Sequence, residues 1–284
     1  MIDKDAIKAL EMGTSEAIEQ ASRALLLDGQ ASHLAALPDN FTVHDLEKFL
    51  PNRRRARGNM STPNCEDFAS YVVAHKEAGA SAFIDQQHMR AVAVLNLGAP
   101  GEPGHADNLA TFAPEKTSAY IELMKVANNG HCSQARIAEF FEDFGECMQF
   151  FGGQDAGEKM STSLAVSAIR KITIESMKKI ESEEQSLRAT RGTFESIGAA
   201  NAEKIPVRIH FKCEPYHGFK ERDFVMRLSI LTNGQAPAIG LRIVKVEQHQ
   251  EEMAKELVEK VRNSIAAKAP AEAVSVLIGS YSVK

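Results

Sequence analysis

The chain has 284 residues, with 33 Lys and Arg against 38 Asp and Glu and a formal net charge of -5. That length supports a sizeable core, burying roughly 75% of the unfolded surface, in one large domain or two ordinary ones. No run approaches the ~18 apolar residues of a membrane span, and the acidic balance argues against a dedicated duplex-DNA binder.

The N-terminal stretch is acidic and amphipathic and does not read as an export signal, so a cytoplasmic protein with no membrane contact is expected. Cys65, Cys132, Cys147 and Cys213 lack any C-x-x-C spacing. They read as buried thiols in a reducing compartment, not as a zinc site or a disulfide framework.

In chain order, Asp3 to Leu27 reads as a helix with Ile7, Leu10, Ile18 and Leu25 near one face. Leu37-Pro38-Asp39-Asn40 reads as a turn and Phe41-Thr42-Val43 as a short strand. The densest basic cluster follows, with Arg53, Arg54, Arg55 and Arg57 as candidate contacts to phosphate or another anion. No aromatic is interleaved there to stack on a base.

Thr62-Pro63 offers a cap and a first helical residue for a helix carrying Phe68, Tyr71, Val72 and His75 on one face, closed by Gly79. Ser81 to Asp85 and Ala91 to Leu97 read as strands, the second apolar on nearly both faces and hence central. Gly98 to Gly104 reads as an irregular loop, with Leu109 to Phe112 returning as a strand.

A helix is expected from Pro114 to Asn129-Gly130, and another in which Ile137, Phe140, Phe141, Phe144, Met148 and Phe151 follow three-four spacing. From Glu158 to about Arg191 the pattern predicts a long helix. Between Ile137 and Glu158 lie six acidic residues and no Lys or Arg, whereas His44 to Met60 holds five basic and two acidic residues. Such opposed patches suit head-to-tail association of a homo-oligomer.

The clearest pattern runs from Ile205 to Val246. Ile205, Val207, Ile209, Phe211 and Cys213 alternate with polar residues, the period of a half-buried strand. Asn233-Gly234 between two further apolar runs predicts a two-residue hairpin, setting Leu228 opposite Ile239, Met226 opposite Leu241 and Phe224 opposite Ile243. Arg208, His210, Lys212, Arg227 and Arg242 then share the other face. This stretch holds seven Lys or Arg against three Asp or Glu, a local excess of +4. The basic face is a candidate anion- or partner-binding surface. The helix expected over Glu247 to Ala267 is placed on the apolar face, and Val274, Val276 and Ile278 form a last strand.

The fold expected is α+β, with antiparallel sheet units, packed helices and a helical middle segment. Its segments are 1–36 (helical), 37–157 (a small α/β unit), 158–204 (a long helix and connector) and 205–284 (β-β-β-α-β), alternatively one continuous domain.

No phosphate-binding loop, nucleophile elbow, H-E-x-x-H or dinucleotide fingerprint is present, so no catalytic residue is assigned and no cofactor is expected. Asp85 and His88 after one strand, with His105 and Asp107 after the Gly/Pro-rich loop, form a candidate divalent-metal or acid-base set. Cys213 followed by His217 reads as a buried thiol in preference to a nucleophile, since no third group orients the pair.

Leu37-Pro38-Asp39, Val43-His44-Asp45-Leu46-Glu47 with the arginine cluster, Ala93-Val94-Leu95-Asn96, Ile137-Ala138-Glu139-Phe140-Phe141-Glu142 and Ile205-Pro206-Val207 occur in this order. Together they resemble the YfdQ-like family of phage and prophage proteins, a domain of unknown function, over most of Leu37 to Gly279. The resemblance implies a phage-encoded accessory protein inside a bacterial host and supplies no activity or catalytic residue.

The function expected is that of a non-enzymatic, self-assembling accessory protein that binds a host or phage component, counter-defence being one such role. Two alternatives stand beside it: a nucleic-acid-binding accessory of phage replication or recombination, and a binding protein for a small phosphorylated ligand. The partners compatible with these readings are a host protein, nucleic acid or a phosphorylated small molecule.

Overall fold

The computed structural model describes Gly13 and residues 51–152, 157–172, 205–231, 237–269 and 274–282. The chain divides into two compact units, Met1–Ala56 and Arg57–Lys284; every element below belongs to the second. Apart from Gly13, which is helical, the expected Asp3 to Leu27 helix lies outside the described residues, as do the Leu37 turn, the Phe41 strand, residues 173–204 and the Asn233-Gly234 turn.

From the start of this unit the chain forms β1 (Gly58–Thr62), α1 (Cys65–His75), β2 (Ser81–Asp85), β3 (Arg90–Val94), β4 (Gly98–Ala99), β5 (Glu102–Pro103) and β6 (Asn108–Phe112). Then come α2 (Ser118–Asn128), β7 (Cys132–Ser133), α3 (Gln134–Asp143), β8 (Met148–Gly152), β9 (Glu158–Met160) and α4 (Thr162–Arg170). After the gap follow β10 (Arg208–Cys213), β11 (Arg222–Leu231), β12 (Ala238–Ile243), α5 (Val246–Lys268) and β13 (Ser275–Ile278). The architecture is α+β, with three mostly antiparallel sheets.

The first sheet has the order β1-β6-β3-β2-β13. Its middle strand is the Ala91-Val92-Ala93-Val94 run, whose apolar character on both sides suits a position with neighbours at both edges, Ala91, Ala93 and Val94 being buried and Val92 half-buried. The end of the chain returns here: β13 pairs in parallel with β2, Val276 lying opposite Ala82. β1, in a stretch with no strand pattern of its own, is held by pairing in parallel with β6.

α1 buries Phe68 and Val72 against this sheet, the Phe68 and Phe112 rings lying 6.0 Å apart. Its start is Asn64, not the expected Thr62-Pro63: the Asn64 carboxamide oxygen accepts from the N–H groups of Glu66 (2.8 Å) and Asp67 (3.3 Å), satisfying two donors of the first turn. α5 lies along α1. Ser264 donates to Glu66 at 2.8 Å, and Lys268 pairs with the same carboxylate at 3.1 Å.

The second sheet has the order β7-β12-β11-β10-β8-β9. The expected faces are present: Ile209, Phe211, Phe224, Met226, Leu228, Ile239, Leu241 and Ile243 are all buried. The layer over them differs from expectation. Phe140 of α3 stacks on Phe211 at 5.7 Å, and Tyr120 of α2 on Phe224 at 5.5 Å. α5 meets this sheet at the corner where His249 lies 4.7 Å from the Phe224 ring; its Met253, Leu257, Val261 and Ile265 stripe is buried.

The helix expected to run through Phe151 stops at Phe144 (φ -118°), and Met148 to Gly152 form β8, with Met148, Phe150 and Gly152 buried and Gln149 and Phe151 half-buried. In the stripe Ile137, Phe140, Phe141 and Phe144, then Met148 and Phe151, the helical spacing continues while an alternating pattern begins. The edge of β10 decides between them, because Phe150 pairs with Ile209 and gains burial the helix could not supply. The helix expected from Glu158 opens as β9, and α4 begins after Ser161, whose hydroxyl accepts from Leu164 N–H at 3.3 Å. Gly98 to Gly104 forms a two-stranded hairpin of β4 and β5 in place of an irregular loop.

The hairpin register also differs. Met226 pairs with Ile243, Leu228 with Leu241 and Ile230 with Ile239, two residues from the expected pairing. A two-residue turn at Asn233-Gly234 places Pro237 opposite Ile230, at a hydrogen-bonding position of the ladder where proline has no N–H to give. Sliding by two residues retains every apolar side chain on its face and moves Pro237 beyond the end of β12.

Candidate anion-binding surface

The register of the second sheet lines up its cations. Arg208 of β10 pairs with Arg227 of β11, and Arg227 pairs with Arg242 of β12. On the other side Arg208 pairs with Phe151 of β8, and Phe151 with Lys159 of β9. The result is one rung, Lys159-Phe151-Arg208-Arg227-Arg242, crossing five strands on the face away from the core. At ~4.8 Å between strands it is about 19 Å long. The four cationic side chains are exposed and Phe151 is half-buried.

Like charges directly opposite each other destabilise a sheet, so Arg227 beside Arg242 confers no benefit on the fold. Arg227 and Arg242 make no hydrogen bond or ion pair within the described residues. The Arg208 guanidinium lies over the Phe151 ring, 5.3 Å from its centroid, and His210 meets the same ring edge-on at 5.2 Å. Along β10, Lys212 is also exposed and pairs with Asp223; the Asp223 carboxylate is taken up by His210 Nδ1 at 2.8 Å.

Of the residues singled out in the sequence, Arg208, Lys212, Arg227 and Arg242 share this face. Arg53, Arg54 and Arg55 belong to the first unit and Arg57 to the second, all in the irregular stretch ahead of β1. Phe151 and Lys159 are members of the rung that the sequence did not reveal. The alternation of buried Met148 and Phe150 with half-buried Gln149 and Phe151 was the available sign.

The candidate metal set does not converge. β2 and β3 pair so that Asp85 lies opposite Arg90, while Leu95, past the other end of β3, bonds Asn108 next to Asp107. Asp85 and His88 therefore lie at one end of β3 and His105 and Asp107 at the other, ~15 Å away along the strand. Each pair has local work. Asp85 accepts from His88 N–H (3.1 Å) and Arg90 (3.4 Å) and meets His88 Nδ1 at 2.8 Å, and Asp107 accepts from Asn96 at 3.0 Å. Burial pushes the Asp85 carboxyl up, but the His88 contacts and Arg90 outweigh it and hold it below the ordinary value. No three His, Cys, Asp or Glu side chains among the described residues gather closely enough to hold a metal ion.

Cys213 is buried, and burial, with Cys147, Glu221 and Glu214 adding, pushes its thiol up to about 12, so it stays protonated near neutral pH. A cleft of about 660 Å³ between α2, α5 and the β2-β3 turn is lined by Met89, Tyr120, Met124, Tyr216 and Met253 with Lys116 at one side. Burial pushes the Tyr120 phenol in it up to about 12.

Fold and surface together define an α+β protein that presents a cationic rung on an exposed sheet face. The chain belongs to the family described as uncharacterized conserved protein (DUF2303), whose family model matches residues 8–281. No curated protein and no solved structure matches it. No helix among the described residues is long and apolar enough to cross a membrane.

Proposed function

We propose that this is a phage- or prophage-encoded, non-enzymatic accessory protein that works inside a bacterial cell by binding an anionic partner across the second sheet. The observation that carries the reading is the alignment of Arg208, Arg227 and Arg242 on three adjacent strands, with Arg227 and Arg242 unpaired among the described residues. Guanidinium groups bind phosphate and carboxylate through two parallel hydrogen bonds, which suits them to this task better than ammonium groups. The phage assignment rests on the ordered segments from Leu37 to Val207 that resemble the YfdQ-like proteins.

The test is a titration of the purified protein against labelled single-stranded DNA, duplex DNA and polyglutamate. Binding of at least one polyanion is expected, falling steeply between about 50 and 200 mM salt as counterions are released. A protein that binds none of them at the lower salt refutes the reading.

Self-association is part of the proposal. β13 is an edge strand with Leu277 49% and Ile278 56% exposed, the kind of edge that pairs with another chain unless it is covered. Native mass measurement is expected to give a dimer or larger assembly, and Leu277→Lys with Ile278→Lys to shift it toward monomer. A wild-type monomer at micromolar concentration removes this part.

A further inference from the structure

Resting on the anion-binding reading of the same sheet face, we infer that the partner is a single-stranded nucleic acid lying across the strands, with a base stacked at Phe151 and phosphates on the arginine rung. The composition of the rung distinguishes the partners. Cations alone suffice for the charges of an acidic protein segment, whereas an unpaired base also brings a flat face that an aromatic ring can meet. Phe151 stands between Lys159 and Arg208 on the same rung.

The ring is held in place: the Arg208 guanidinium lies over it, 5.3 Å from its centroid, and the His210 ring centroid is 5.2 Å away at an interplanar angle of 66°. Unpaired bases stack on aromatic rings and on guanidinium planes alike, so the Phe151 ring with Arg208 over it offers a stacking surface, and stacking tolerates any sequence because every base has a π-face. A duplex presents phosphates but keeps its base faces stacked inside, so Phe151 has nothing to meet there. The rung's length, about 19 Å, suits a short site at the low end of the roughly 4–16 nucleotides typical of sheet-based single-strand binders.

A line of guanidinium groups perpendicular to the strands also sets a direction. The backbone runs from β8 toward β12 over Arg208, Arg227 and Arg242, with its first ordered base at Phe151. The acidic balance of the whole chain, -5, is compatible with this because the rung is local. The missing aromatic that weakened the arginine cluster at Arg53 to Arg57 is supplied here by a different part of the chain.

The experiment compares a labelled oligothymidylate, a duplex of equal length and polyglutamate on the full-length protein, with Phe151→Leu beside wild type. The expected result is single strand bound at least about tenfold tighter than the other two, with Phe151→Leu about tenfold weaker and its salt slope retained, since stacking releases no counterions. Photocrosslinking of a 5-bromodeoxyuridine oligonucleotide to wild type is expected to put the adduct on Phe151 or its β8 and β10 neighbours, which decides the matter even where Phe151→Leu does not fold. Duplex or polyglutamate bound as tightly as the single strand, unchanged binding by a folded Phe151→Leu, or an adduct elsewhere overturns this inference and leaves anion binding standing. Failure to bind any of the three refutes both.

Discussion

Arg227 and Arg242 replaced together by Ser are expected to weaken polyanion binding about a hundredfold at low salt and to reduce the salt slope by about two. Each guanidinium that leaves the rung takes one charge-assisted contact with it, and at ~1.4 kcal/mol each, just under the range for hydrogen bonds to charged groups, two contacts give a factor of about a hundred. Folding should be spared. Both side chains are exposed, neither has a partner among the described residues, and separating like charges on adjacent strands relieves repulsion. The melting temperature is therefore expected to hold or rise slightly. Lys76→Ser with Arg262→Ser, two exposed sites away from the second sheet, removes the same net charge and serves as the control. Equal weakening in both pairs would mean that the effect is one of overall charge and that the rung has no special part in it.

Arg222→Leu should be the most destabilising single change among the polar residues. Arg222 begins β11 with its side chain 12% exposed and donates to Glu252 at 2.7 Å and to Glu256 at 2.8 Å. Glu256, 13% exposed, also accepts from the backbone N–H of Lys220 at 2.7 Å. With His249 against Phe224, these bonds tie the second sheet to α5, which also lies along α1. Removing the guanidinium leaves a nearly enclosed carboxylate without its counter-charge, a cost of about 3 kcal/mol. For a unit of this size that is a fall of roughly 6–12 °C in melting temperature. Replacing Arg222 and Glu256 together by Leu should recover part of the loss, because the pair's own desolvation goes with it. A single Arg222→Leu variant melting within about a degree of wild type would show that the bridge adds little.

The same contrast between local pattern and long-range placement runs through the molecule. Ile209, Phe211, Met226, Leu228, Leu241 and Arg227 were each assigned to the correct face from alternation, because a strand turns its side chains over every residue whatever it pairs with. The helices bearing Phe68 and Phe140 were legible for the corresponding reason, a stripe at three-four spacing. Met148 to Gly152 was misread because Met148 and Phe151 continue the helical stripe while Met148 and Phe150 begin an alternation, and only the edge of β10 chose between them.

By itself the sequence determined the α+β class, the two faces of the Ile205 to Val246 strands and the cationic character of one of them. Which cations stand together was decided by the tertiary structure. In the register expected from Asn233-Gly234, Arg227 faces Gly240 and Arg242 faces Val225; the observed register, displaced by two residues, makes Arg227 and Arg242 neighbours. Phe151 joins them because β8 pairs with β10, and Asp107 is carried away from Asp85 because β3 runs antiparallel to both of its neighbours. A slide of two residues leaves every side chain on its face, so the local pattern cannot register it. Strand order and register are chosen by which distant apolar side chains bury one another, and that choice exists only once the chain has closed on itself.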